Sequence, residues 1–161
     1  MNTLVLGVGN LLLQDEGAGV RAVEQFARSY RVPEGVELLD GGTSGIELLY
    51  HIQGRDTLII VDVVRWGRPP GTVFRMEGAE VPALFQKRIS PHQLGLSDLL
   101  ATALLTDRMP GKLVLLGIEP GTVDTGLELS DEIARNLERL ADMIAVELVS
   151  SGFEVQARLQ C

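Results

Sequence analysis

With 161 residues, 45% of them hydrophobic, the chain is sized and composed as one globular domain spanning 1–161. A domain of this length buries roughly 68–70% of its unfolded surface, so its core needs neither a disulfide nor a structural metal; the single cysteine, Cys161, excludes an internal disulfide framework and stands where a fraying terminus disfavours a catalytic thiol. The net charge of −8, with no cluster of Lys or Arg, argues against nucleic acid as a partner, and no apolar run approaches the roughly 18 residues of a membrane span.

The first segment, TLVLGVG (Thr3–Gly9), is a short apolar run stopped by glycines, as expected of a strand buried on both faces. It lacks the basic flank of a signal peptide, and the expectation is a soluble cytoplasmic protein. From Gly17 the pattern turns helical, with Val20, Val23, Ala27 and Tyr30 along one face. VELLD (Val36–Asp40) is a second strand, and IELLYHI (Ile46–Ile52) a short helix after the GGTSG loop. TLIIVDVV (Thr57–Val64) reads as the most deeply buried strand.

GTVFRME (Gly71–Glu77) alternates more than the other strands, which predicts an edge strand with one wetter face. A loop then leads to S-P-H-Q and a helix over Gln93 to Leu105. KLVLLGIE (Lys112–Glu119) is the last strand. Ser130 is placed to cap a long helix whose Ile133, Leu137, Leu140, Ile144 and Leu148 make one apolar stripe. Strands alternating with helices in this order predict an α/β domain, a mainly parallel sheet flanked by helices in three layers.

Ligands of open α/β sheets bind beyond the carboxyl ends of the strands, where the strand order reverses. If the second strand lies on one side of the first and the third on the other, a crevice opens between strands one and three. Glu16 lies in the loop leaving the first strand, Asp40 ends the second and Asp62 sits near the end of the third. Glu16 could instead serve only the dipole of the following helix, and Asp40, before Gly41 and Gly42, could simply cap its own turn. Asp62 is harder to dismiss, because it interrupts LIIVDVV and a buried carboxylate is costly without a partner. His51, at the end of a short helix, reads as solvated or capping, while His92 follows a proline just before a helix.

One Glu, one Asp and one His from three loops suit a divalent transition metal, nickel, zinc or iron rather than magnesium. HExxH and CxxC are absent, so a permanent protease zinc site finds no support. A dinucleotide cradle also fails. GVGNLL has Leu12 where the third glycine belongs, and Asp15 and Glu16 would repel a pyrophosphate.

Together, LVLGVGNLLLQDEGAGVR, LLDGGTSGIELL, LIIVDVVRWGRPPG, SPHQLGLSDLL and LVLLGIEP, in order from residue 4 to residue 120, resemble the [NiFe]-hydrogenase maturation endopeptidases. The resemblance implies a five-stranded, mainly parallel twisted sheet of phosphorylase/hydrolase-like type, with an edge strand running antiparallel. It implies an aspartyl-type endopeptidase that removes a short C-terminal peptide from the precursor of a [NiFe]-hydrogenase large subunit after nickel insertion. Glu16, Asp62 and His92 match the family's metal-contacting positions, and Asp40 a position linked to activity. The catalytic candidates are thus Asp62, Asp40 and Glu16, and the metal candidates Glu16, Asp62 and His92. Nickel is expected from the substrate, with no resident cofactor, and the chain is expected to act as a monomer. Either the metal polarises the scissile carbonyl or activates water, or Asp62 or Asp40 is the general base and the metal only positions the substrate. The rival readings are a nickel-binding assembly factor that cleaves nothing, a flavodoxin-like nucleotide module and an unrelated peptidase acting on spore proteins.

Overall fold

The computed structural model describes residues 1–87, 91–121 and 123–159, and of residues 87, 91 and 92 the backbone alone. Cys161 lies outside the described residues. Five strands, β1 (Thr3–Val8), β2 (Val36–Gly42), β3 (Thr57–Val63), β4 (Val73–Glu77) and β5 (Lys112–Ile118), form one sheet in the order β2-β1-β3-β5-β4. The pairs β1/β2, β1/β3 and β3/β5 are parallel, and β4 runs antiparallel to β5. Strands two and three therefore flank strand one, the arrangement that opens a crevice between β1 and β3. The wetter strand is an edge, as its alternation predicts.

β1 and β3 are buried at every position, which is why they read as continuous apolar runs: neither face can carry a polar residue cheaply. Their alternate side chains feed two cores. Leu4, Leu6, Leu58 and Ile60 meet α2 (Leu49–Ile52), α3 (Glu80–Lys87) and α4 (Pro91–Leu105) on one face. Val5, Ile59, Val61 and Val63 meet α1 (Ala18–Ser29) and α5 (Asp131–Ser150) on the other. The result is three layers.

Three local expectations need correction. The stretch after β4 is not only a loop, because EVPALFQK forms α3. Pro82 falls in its first turn, where a missing N–H costs no hydrogen bond, and Val81, Leu84 and Phe85 turn to the core at helical spacing. The helix predicted from Gln93 already starts at Pro91. The α1 stripe runs through Phe26, fully buried, in place of the half-buried Ala27, while Tyr30 packs against the same core.

Ser130 does occupy the N-cap position of α5, but its side chain makes no capping bond to the helix. Its hydroxyl donates to Asp15 instead, at 2.6 Å.

Candidate active site

β1 ends at the mouth of the crevice and the chain turns at Gly9, which the surrounding groups make obligatory. Its φ is +133°, and a Cβ there would lie 1.9 Å from the Glu16 carbonyl oxygen and 3.9 Å from Asp62 Oδ1. No side chain tolerates that backbone contact, so the first glycine-rich turn exists to let the Glu16 loop close over strand one. The Gly9 amide in turn donates to the Gly42 carbonyl at 2.8 Å. Gly42 closes the turn begun by Asp40, donating its own amide to Asp40 Oδ1 at 2.8 Å. Gly9 is thus the common neighbour of the three acidic loops.

Each acid stands differently around it. Asp62, near the end of β3, is fully buried, and Glu16, in a 3₁₀ turn over Gln14–Gly17, is 8% exposed. Asp62 Oδ1 accepts the Val63 amide at 2.8 Å, and Oδ2 faces the Gln93 side-chain amide at 3.4 Å. Gln93 also donates to the Val63 carbonyl at 2.9 Å. Asp40 is exposed on the edge strand, in register with Gly7. Its bond to Gly42 is the turn-capping one that its residue type suggests.

His92 lies in the first turn of α4, and its side chain is outside the described residues. Among the described residues no three His, Cys, Asp or Glu side chains stand close enough together to hold a metal. His51 is half-buried in α2, where its carbonyl accepts from Arg55 Nε at 2.9 Å.

Three buried polar residues near the crevice were not singled out as site residues by the sequence pattern. Asp15, fully buried, takes the Gly121 amide at 2.8 Å on Oδ2 and the Ser130 amide at 2.6 Å on Oδ1. Glu119, just past β5, takes the amides of Trp66 and Arg68 at 2.7 and 2.9 Å. It thereby holds the loop that follows Asp62, where Arg68 stands 5.3 Å from the Trp66 ring centre. Gln93 is the third. Its only signal in the sequence is its place beside His92, whereas Asp15 is signalled by its place beside Glu16.

The β1 loop is further tied to the chain before α5: Gln14 donates to the Gly126 carbonyl at 2.9 Å, and the Gly126 amide to the Leu12 carbonyl at 2.8 Å. Charge is therefore gathered at the carboxyl ends of β1, β2 and β3 on a frame locked by backbone hydrogen bonds. Such a frame presents carboxylates to a cation or a water and repels phosphate.

The chain is similar throughout to proteins of one family. A family model described as HycI, hydrogenase maturation protease, matches residues 20–147. The hydrogenase 2 maturation protease of Escherichia coli (strain K12) is 44% identical over 159 residues, covering 98% of this chain and 97% of that one. The hydrogenase expression/formation protein HupM of Azotobacter chroococcum is 46% identical over 139 residues, 85% of this chain and 66% of its own. Among solved structures, the hydrogenase maturating endopeptidase HybD from E. coli superposes with a TM-score of 0.95 at 43% identity, covering 98% of both chains. The [NiFe] hydrogenase maturation protease HybD from Thermococcus kodakarensis gives 0.75 at 30%, covering 92% of this chain and 99% of that one. The chain belongs to the hydrogenase maturation proteases and is a peptidase with their fold.

Proposed function

We propose that this peptidase removes a short C-terminal peptide from the precursor of a [NiFe]-hydrogenase large subunit after nickel insertion. In this reading nickel arrives with the substrate, and Glu16, Asp62 and His92 reach it. The observation that carries the proposal is Asp62: a fully buried carboxylate near the end of β3, held at both oxygens beside the Glu16 loop. Unlike Asp15, which fastens distant loops, Asp62 interrupts an apolar strand at the crevice, where it suits a site that presents one oxygen to a cation.

Docking the precursor through its metal would convert peptide hydrolysis into an oriented, local reaction. Orientation of that kind contributes about 7–11 kcal/mol to lowering a barrier. Asp40 is exposed and joined to Gly9 through two hydrogen bonds, so it is the carboxylate we assign to the attacking water as general base. Precursor without metal lacks the group that docks it and escapes cleavage. In this reading the protein acts as a monomer in the cytoplasm; among the described residues no helix is long and apolar enough to cross a membrane.

The test mixes purified protein with nickel-loaded and nickel-free precursor and follows precursor mass. Loss of a few C-terminal residues from the loaded form alone is the expected result. Binding without cleavage would reassign the protein as an assembly factor, and equal cleavage of both forms would remove nickel from recognition.

A further inference from the structure

Gln93 is 5% exposed and stands in the first turn of α4, on the face of the sheet that carries Asp62. A glutamine has four hydrogen-bonding positions, and sealing it inside a protein is unfavourable unless they are used. Here both neighbours of the amide nitrogen are acceptors: the Val63 carbonyl at 2.9 Å and Asp62 Oδ2 at 3.4 Å. A backbone carbonyl can only accept, so the NH₂ end of the amide must face β3, and the orientation of the group is dictated by its partners. One amide therefore ties the start of α4 to consecutive residues of β3.

The carboxylate is then held from two sides. The Val63 amide fixes Oδ1 at 2.8 Å, and Gln93 bears on Oδ2. Rotation about the Cβ–Cγ bond of Asp62 would break the first contact and lose the second. A neutral amide is suited to this task, because it donates to the charged carboxylate while adding no charge that would compete with an incoming cation.

We propose that Gln93 is a positioning residue for Asp62: its side-chain amide, anchored on the Val63 carbonyl, fixes the rotation of the carboxylate and so the oxygen offered to the substrate. The assignment rests on Asp62 serving the reaction as proposed above. It also makes the start of α4 a rigid extension of β3, so that the backbone of His92, the residue preceding Gln93, stands on a helix whose first turn is pinned to Asp62.

The test replaces Gln93 with Met, which keeps the length of the side chain and removes both donors. In Gln93→Met the carboxyl ¹³C resonance of Asp62 shifts or broadens, the thermal midpoint falls by no more than about 4 °C, and kcat/KM for the nickel-loaded precursor drops about 10–100-fold. Gln93→Asn, one methylene too short to reach both acceptors, gives the same resonance change if Gln93→Met fails to fold. An unchanged Asp62 resonance in a folded variant overturns the proposal, as does unchanged kcat/KM. Lost cleavage with an unchanged resonance would make Gln93 structural only. The resonance is read on the protein alone, so it stands even if wild-type protein proves not to cleave the precursor; that second result would sink the proposed function separately.

Discussion

Asp15 and Ser130, 115 positions apart, are joined twice: the Ser130 amide reaches Oδ1 and its hydroxyl reaches Oδ2, each at 2.6 Å. The same carboxylate holds the Gly121 amide, so one buried acid in the first loop fastens the approach to the last helix. Asp15→Ala strands these donors away from water and is expected to cost about 3 kcal/mol. Urea unfolding followed by circular dichroism checks this. A loss under 1 kcal/mol would show that the loops hold together without Asp15.

Asp40 separates two roles through one isosteric change. Asp40→Asn keeps an oxygen for the Gly42 amide, so the thermal midpoint should match that of the wild type. Removing the charge should nonetheless lower kcat about 100-fold if the carboxylate takes a proton from water. Wild-type kcat in this variant would confine Asp40 to its turn.

Glu147 should govern the acid limb of stability. Burial alone would push its carboxyl up, but hydrogen bonds and charge from Arg75 and Lys112 outweigh burial and hold it below its ordinary value of 4.5. A depressed folded value means that the stabilisation is complete above about pH 4.5 and is lost as pH falls through the folded value. Wild-type urea midpoints should therefore decline below that pH. Glu147→Gln should start lower at neutral pH and show a shallower acid decline. Parallel curves for the two proteins would contradict the assignment.

Glu119 can be read through the single tryptophan of the chain. Glu119→Ala leaves the Trp66 and Arg68 amides without their acceptor. The loop should loosen, and Trp66, half-buried against Phe74 with ring centres 4.8 Å apart, should shift its emission to the red. Stability should fall by about 2 kcal/mol. Unchanged emission would mean that ring packing, not Glu119, places the loop.

The strands were legible because burial on both faces forces β1 and β3 to be apolar at almost every position, and Asp62 was conspicuous for the same reason. Parity also placed β4 at an edge. What a linear pattern does not carry depends on distance or on context. α3 is only eight residues long and holds Pro82, so its sequence has the look of a loop. Asp15 reads as a neighbour of Glu16 until Gly121 and Ser130 are brought to it across more than 100 residues. Ser130 carries the right residue for a cap, yet the tertiary partner wins over the local one. Gln93 looks like a solvated residue of a helix start, since nothing in a linear pattern says that its first turn lies against β3.

The strand order also sets a schedule for synthesis. β5 lies between β3 and β4 in the sheet but is the last strand in the chain. A nascent chain that has delivered β1 to β3 therefore still lacks the neighbour that pairs Asp62 with Gly117, and β4 has nothing to lie against. The loop of Asp15 waits longer, for Ser130. On the ribosome, the crevice is therefore completed only after Ser130 has emerged to meet Asp15.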